Sequence, residues 1–290
     1  MHDIVYELKR LAEQHREGSY ATQANRKNML TLLGEQLWQA GWKQMHATDL
    51  KGRHVNRLLA LWREQGLSPA TLRNRLSVLR WWAAKVDRAG VLPKSNAVYG
   101  IPNRQTVART SKARELPPDT LARIGDPYVR MSLALQRAFG LRREECIKLR
   151  PHQADQGDRL VLQGSWCKGG RPREVPIRTA AQREVLERAK SLVKLQTAAL
   201  IPADKRYVEQ LRRYEHWTGR VGLNKMHGLR HAYAQDRFLE LTGFACPAAG
   251  GPTRELLTPA QHAADYDARV IISDELGHSR EAITAAYLGR

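Results

Sequence analysis

The chain has 290 residues, 42% of them hydrophobic, enough for one large or two ordinary globular domains. Lysine and arginine number 48 against 29 acids, and the formal charge of +19, spread along the chain, points to a nucleic-acid partner and away from a membrane surface. Cys146, Cys167 and Cys246 are too few and too scattered for a disulfide framework or a zinc site, and no apolar run approaches a membrane span.

The first residues, MHDIVYELKRLAEQ, lack the apolar stretch of a secretory signal, so a cytoplasmic protein is expected. Leu30, Leu33, Leu37 and Trp38 recur at helical spacing over 28–40, and Gly41 breaks the run. A second helix is predicted over 50–65, with Val55, Leu58, Leu59 and Trp62 on its apolar face. Ser68-Pro69 reads as an N-cap followed by proline at the first helical position. From there Leu72, Leu76, Leu79, Trp82 and Val86 form a stripe that Gly90 is expected to end. Arg73, Arg75 and Arg80 beside it are either solvated charges or a DNA-facing surface; the charge of the whole chain favours the second. Trp81 and Trp82 are about 100° apart on a helix, so both cannot enter one core.

Residues 91–118 hold Pro93, Gly100, Pro102, Pro117 and Pro118 with little periodicity, the pattern of a linker. Arg104, Arg109, Lys112 and Arg114 make it basic, as suits an arm along a phosphate backbone. The expected domains are therefore 1–100, helical, a basic linker over 101–118, and a larger domain over 119–290.

In that larger domain a helical pattern over 129–149 is interrupted by Gly140. Strand-like residues 159–162 and 174–177 flank a loop with Lys168-Gly169-Gly170, and helices are predicted over 179–196, 208–217 and 227–241. The fold class expected is mainly α, with one small antiparallel sheet.

Transfer at a phosphodiester builds negative charge on nonbridging oxygens, and preplaced cations answer it. Arginine suits best, because its planar fork grips two oxygens. Arg142 sits in Gly140-Leu141-Arg142-Arg143-Glu144-Glu145, and Arg230 in His227-Gly228-Leu229-Arg230-His231, where His227 and Arg230 share a helix face. His227 and His231 also have a spacing that suits zinc, but the metalloprotease glutamate is lacking, so no metal is expected. No acidic cluster of the kind that holds Mg²⁺ is evident, and no cofactor is implied. The closing LGHSREAITAAYLGR places His278 nine residues before Tyr287, a residue type able to form a covalent phosphate ester.

These motifs resemble those of the tyrosine recombinase (phage integrase) family. Gly140-Leu141-Arg142 with Glu145 is similar to its first box, 168–177 (KGGRPREVPI) to its hairpin box, 227–234 (HGLRHAYA) to its second, and Leu276-Gly277-His278 with Tyr287 to its third. The resemblance implies a helical core-binding domain, a catalytic domain and a clamp on duplex DNA. It implies Tyr287 as the nucleophile forming a 3′-phosphotyrosine, Arg142 and Arg230 holding the scissile phosphate, and His278 hydrogen-bonded to it. Lys168 would be the general acid, His227 the acid/base assisting the tyrosine, and Glu145 an orienting residue behind them, with Arg171 contacting DNA. The activity implied is site-specific recombination for a prophage or mobile element, by a homotetramer on two DNA sites. The alternatives are a DNA-binding regulator with an idle site and a topoisomerase of the same chemistry. Two departures from the family pattern stand out. Residues 242–258 look like an inserted loop, and the chain stops three residues after Tyr287, so assembly is expected to use surfaces other than a long swapped tail.

Overall fold

A computed structural model of the chain describes residues 2–290. It is mainly α-helical with one two-stranded antiparallel sheet, and it divides into two compact units at Arg104/Gln105.

The first unit is built from α1 (Asp3–Gln14), α2 (Tyr20–Gln39), α3 (Gly52–Glu64) and α4 (Pro69–Lys85). The apolar stripes seen in the sequence form its core: Leu30, Leu33 and Leu37 from α2, Val55, Leu58 and Trp62 from α3, and Leu72, Leu76, Leu79 and Trp82 from α4, closed by Ile4 and Leu8 of α1. Helix α2 begins two turns before the apolar pattern does, because the Ser19 hydroxyl accepts from the Thr22 amide and caps it. The Ser68 hydroxyl does the same for α4 through Thr71. That helix stops at Lys85, earlier than Gly90: Asp87 turns left-handed (φ 55°), and the Arg88 amide donates back to the Ala83 carbonyl at 2.7 Å. Of the two tryptophans, Trp82 is buried with its indole N–H on the Ala47 carbonyl, whereas Trp81 is half-buried under Arg26 and donates to Glu17.

The stretch expected as a linker is shared between the units. Leu92 and Ile101 are buried in the first core, and Ala108 in the second. Arg80 donates to the Pro93 carbonyl and to Asn96, Arg73 to the Pro102 carbonyl, and the Arg75 guanidinium lies 5.2 Å from the Trp62 ring centroid. Arg73 and Arg80 thus have hydrogen-bond partners within their own unit, while Arg75 meets the Trp62 ring, its Nε and Nη1 buried and unpaired among the described residues.

The second unit runs through α5 (Pro118–Ala122), α6 (Pro127–Phe139), α7 (Arg143–Lys148), α8 (Pro151–Ala154), β1 (Arg159–Leu162), β2 (Arg173–Pro176), α9 (Ala180–Leu192), α10 (Tyr207–Arg220), α11 (Gly228–Thr242), α12 (Pro259–Glu275) and α13 (Ala285–Leu288). The strands pair from Arg159↔Pro176 to Leu162↔Arg173. Helix α9 ends four residues before the predicted limit, since Val193 turns extended and buries in the core. Residues 242–258 are not simply a surface loop. Gly243 caps α11 in a left-handed conformation, and the 3₁₀ turn Pro247–Ala249 carries Cys246 and Ala248 into the core that also holds Tyr287 and Leu288. Helix α12, absent from the sequence reading, follows a Thr258 cap and a first-turn proline. Among the described residues no helix is long and apolar enough to cross a membrane.

Candidate active site

Helix α6 ends at Gly140, whose left-handed φ of 61° and close approach to the Tyr233 ring leave no room for a side chain; an added Cβ would lie 2.5 Å from Tyr233 Cδ1. The turn delivers Arg142 to the N-cap of α7. Its amide donates to Glu145 Oε2 and its guanidinium to Glu145 Oε1, both at 2.6 Å. Glu145 is fully buried and also takes a two-pronged grip from Arg173 of β2, at 2.6 and 2.9 Å. Burial by itself would raise the Glu145 pKa, but the hydrogen bonds and charges of Arg173 and Arg142 outweigh it and hold the carboxyl down at about 2.

The Leu276-Gly277-His278 box is a helix terminator. The His278 amide donates to the Ser273 carbonyl and the Gly277 amide to the Asp274 carbonyl, each at 2.8 Å, with Gly277 at φ 66°. The carbonyls of Glu275 and Leu276 are left free at the negative end of α12, and arginines collect there. Arg173 Nε donates to the Glu275 carbonyl at 2.8 Å, and Arg142 Nη2 to the Leu276 carbonyl at 3.2 Å. Arg230, fully buried, shares the Leu276 carbonyl and donates to the Gly140 carbonyl at 2.6 Å. Burial lowers its pKa to about 10, which leaves it charged at neutral pH.

Tyr287 closes the cluster from α13. Arg230 Nε donates to its hydroxyl at 3.3 Å, and His227 Nε2 lies 3.4 Å from the same oxygen. His278 Nε2 is 3.4 Å from Arg230 Nη2. Burial, followed by the surrounding cations, pushes His278 down to about 4 and lowers His227; burial and then His227 bring His231 to about 4. His231 and His278 are therefore neutral at pH 7. Three guanidinium groups face one carboxylate here, so the site is net cationic and matched to an anion.

The segment after Arg104 is laid across this region. The Ala108 amide donates to the Ala285 carbonyl at 2.8 Å, and the Arg114 amide to the Gly228 carbonyl at 3.0 Å. Ser111 donates to Gln235, whose amide donates in turn to the Tyr287 carbonyl at 3.0 Å.

Arg142, Glu145, His227, Arg230, His278 and Tyr287 are thus brought together. Lys168 is not among them: it is exposed in the 3₁₀ turn Lys168–Gly170, with no hydrogen bond or ion pair to any described residue. Its neighbour Cys167 approaches Arg173 at 3.8 Å, which ties the hairpin tip to the cluster. Arg104, Arg109, Lys112, Arg114 and Arg171 are exposed. Two residues escaped the sequence reading. Arg173, quoted only within a motif, is the grip on Glu145; its signal was strand alternation, which buries it with Val175 and turns Glu174 out. His231, weighed only as a metal ligand, packs its ring 4.6 Å from that of Tyr287. No group of three histidine, cysteine or acidic side chains among the described residues is placed to hold a metal ion.

Two family models match the chain, "Phage integrase, N-terminal" over residues 1–89 and "Integrase" over 104–236. No curated protein matches it. Among solved structures, a lambda integrase dimer bound to a core site is 14% identical, with 99% of this chain and 94% of that one covered and a TM-score of 0.59. The Tn1549 transposon integrase with circular intermediate DNA is 14% identical, with 100% and 96% covered and a TM-score of 0.58. A lambda integrase tetramer bound to a Holliday junction is 15% identical, with 97% and 77% covered and a TM-score of 0.57. At such identities these similarities speak for the fold, while the two family models between them span most of both units. The chain belongs to the tyrosine recombinase (phage integrase) family.

Proposed function

We propose that the protein is a site-specific DNA recombinase that cuts and rejoins strands through a 3′-phosphotyrosine. The observation that carries this is the Tyr287 hydroxyl held between Arg230 Nε and His227 Nε2 above a cluster of three arginines. In the first step the Tyr287 oxygen attacks the scissile phosphorus and the bond to the 5′-oxygen breaks. The phenolic proton passes to neutral His227, and Lys168 on the hairpin protonates the leaving 5′-oxygen. Arg142 and Arg230 hold the nonbridging oxygens, with His278 hydrogen-bonded to one of them. Glu145, gripped by Arg142 and Arg173, keeps both guanidinium groups in register. The second step reverses the first: a 5′-hydroxyl of another strand attacks the phosphotyrosine and Tyr287 recovers its proton. Because the ester conserves the bond energy, neither ATP nor metal is called for.

In this reading residues 1–100 grip the duplex, 119–290 carry the chemistry, and the basic stretch between them, with Arg171, follows the backbone. The α4 arginines Arg73 and Arg80 contribute mainly by shaping that unit, given their internal hydrogen bonds, and Arg75 by its contact with Trp62. Exchange between two sites needs four strand cuts, and one tyrosine per chain then calls for four copies on the DNA. Service to a prophage or another mobile element fits such an activity.

The test is a duplex carrying the recombination site with a nick beside the scissile phosphate. The wild-type chain is expected to form an adduct that survives SDS, and Tyr287→Phe to form none. Retained site binding without any adduct would support a regulator with an idle site. Relaxation of supercoiled plasmid without strand exchange would support a topoisomerase.

A further inference from the structure

Behind the arginine cluster lies a second group of charged side chains with no part in the steps above. Glu275, the last residue of α12, is buried. Its Oε2 accepts from the Tyr233 hydroxyl at 2.7 Å and its Oε1 from Arg237 Nε at 3.0 Å, with Arg237 Nη2 2.9 Å from the same oxygen as an ion pair. Tyr233 and Arg237 are one turn apart on α11, so both reach the same carboxylate. Arg237 also donates to Glu240 Oε1 at 3.0 Å, and Glu240 pairs with Arg178, two residues past β2. The Arg178 guanidinium lies 5.9 Å from the Tyr233 ring centroid. The main chain of Glu275 closes the circuit, because its carbonyl accepts from Arg173 of β2.

This ring laces β2 and the residues after it, the body of α11 and the end of α12 together, and each element carries part of the site: Arg173 on β2, Arg230 on α11, and the Leu276 carbonyl and His278 at the end of α12. An acid at a helix C-terminus opposes the macrodipole and, buried, is costly unless paired. Two donors from α11 offset that cost at this one residue. Tyr233 has a second contact with the site, since its ring lies against Gly140, whose carbonyl receives Arg230.

We propose that Glu275 is a positioning residue, held by Tyr233 and Arg237, which fixes the last turn of α12 so that its free carbonyls align Arg142, Arg173 and Arg230. The inference rests on the strand-transfer reading above. A tilt of that turn moves three guanidinium groups together, and misplacement by about 1 Å can cost a hundredfold in rate.

Tyr233→Phe removes one hydroxyl and keeps the ring; Glu275→Gln keeps the shape and removes the charge. Three quantities are measured on the full chain: affinity for the site-bearing duplex, rate of adduct formation at saturating DNA, and thermal midpoint. Tyr233→Phe is expected to bind within about threefold of wild type and to cleave roughly five- to twentyfold more slowly, with Glu275→Gln slower still. The double variant is expected to lose less than the product of the two, because both act through one carboxylate. A role confined to stability would lower the thermal midpoint and leave the rate at saturation unchanged; that result overturns the proposal, as does a rate loss that vanishes once DNA saturates. If Glu275→Gln fails to fold, Tyr233→Phe decides alone. A wild-type chain that forms no adduct would sink the strand-transfer reading and this inference with it. A reactive wild type with equally reactive variants would sink this inference only.

Discussion

Arg230 directs its N–H groups at its own chain, to the carbonyls of Gly140 and Leu276, the Tyr287 hydroxyl and His278 Nε2, and stays charged although fully buried. The histidines around it have taken the opposite course. His231 and His278 are pushed down to about 4 from an ordinary 6.5, so the folded state refuses protons that the unfolded chain accepts. Their contribution to stability is complete above about pH 6.5 and is lost as pH falls to about 4, at up to about 1.4 kcal/mol per pH unit for each. Glu145 acts lower down. Held at about 2 against an ordinary 4.5, it gives stability that is complete above 4.5 and lost only below it. Urea midpoints measured against pH should therefore already fall between 6.5 and 4.5, and His278→Asn should flatten part of that fall. A wild-type midpoint constant over this window would contradict the neutral histidines.

Among the elements, the end of α12 decides the most. Gly277 is where the helix turns left-handed, and a Cβ added there would lie 2.8 Å from Arg173 Cδ. Gly277→Ala is expected to cost about 1–2 kcal/mol in backbone strain and to displace Arg173 from Glu145, slowing adduct formation more than about tenfold. Gly90→Ala is the control, because Gly90 has no positive φ and open space at its Cβ; it should leave both stability and cleavage near wild type. Thermal unfolding and adduct kinetics on the two variants check this. The break at Gly140 was legible in the sequence because glycine at a helix end has a local physical reason, whereas Gly277 stood out only through its resemblance to a family motif. Arg173 was not legible: β2 begins at Arg173, leaving Arg171 in the turn before it, and that start is set by pairing with β1, where Leu162 faces Arg173. Helix α12 was missed for the same kind of reason: an apolar face made of Ala268, Ile272 and Leu276 is too thin to stand out until α11 supplies the surface that buries it.

For the whole molecule, the charge of +19 remains after the internal ion pairs are formed, and much of it is carried by exposed arginines and lysines such as Arg104, Arg109, Lys112, Lys168 and Arg171. Affinity for duplex DNA is expected to drop by at least about a hundredfold between 50 and 200 mM salt, as release of counterions from several phosphates demands. A titration with a flat salt response would contradict a clamp on the backbone. What the sequence determined by itself was local or cumulative: the charge, the cap at Ser68, the break at Gly140, the apolar stripes, and the order and spacing of the motifs from Arg142 to Tyr287. Each rests on neighbours within a turn or on a sum over the chain. Only the tertiary structure decided which cation meets which acceptor. It set Arg73 and Arg80 against the segment following α4, Arg173 against Glu145, and Glu275 between Tyr233 and Arg237. Identical guanidinium groups are told apart by burial and by the carbonyls within reach, and those are supplied by elements far away along the chain.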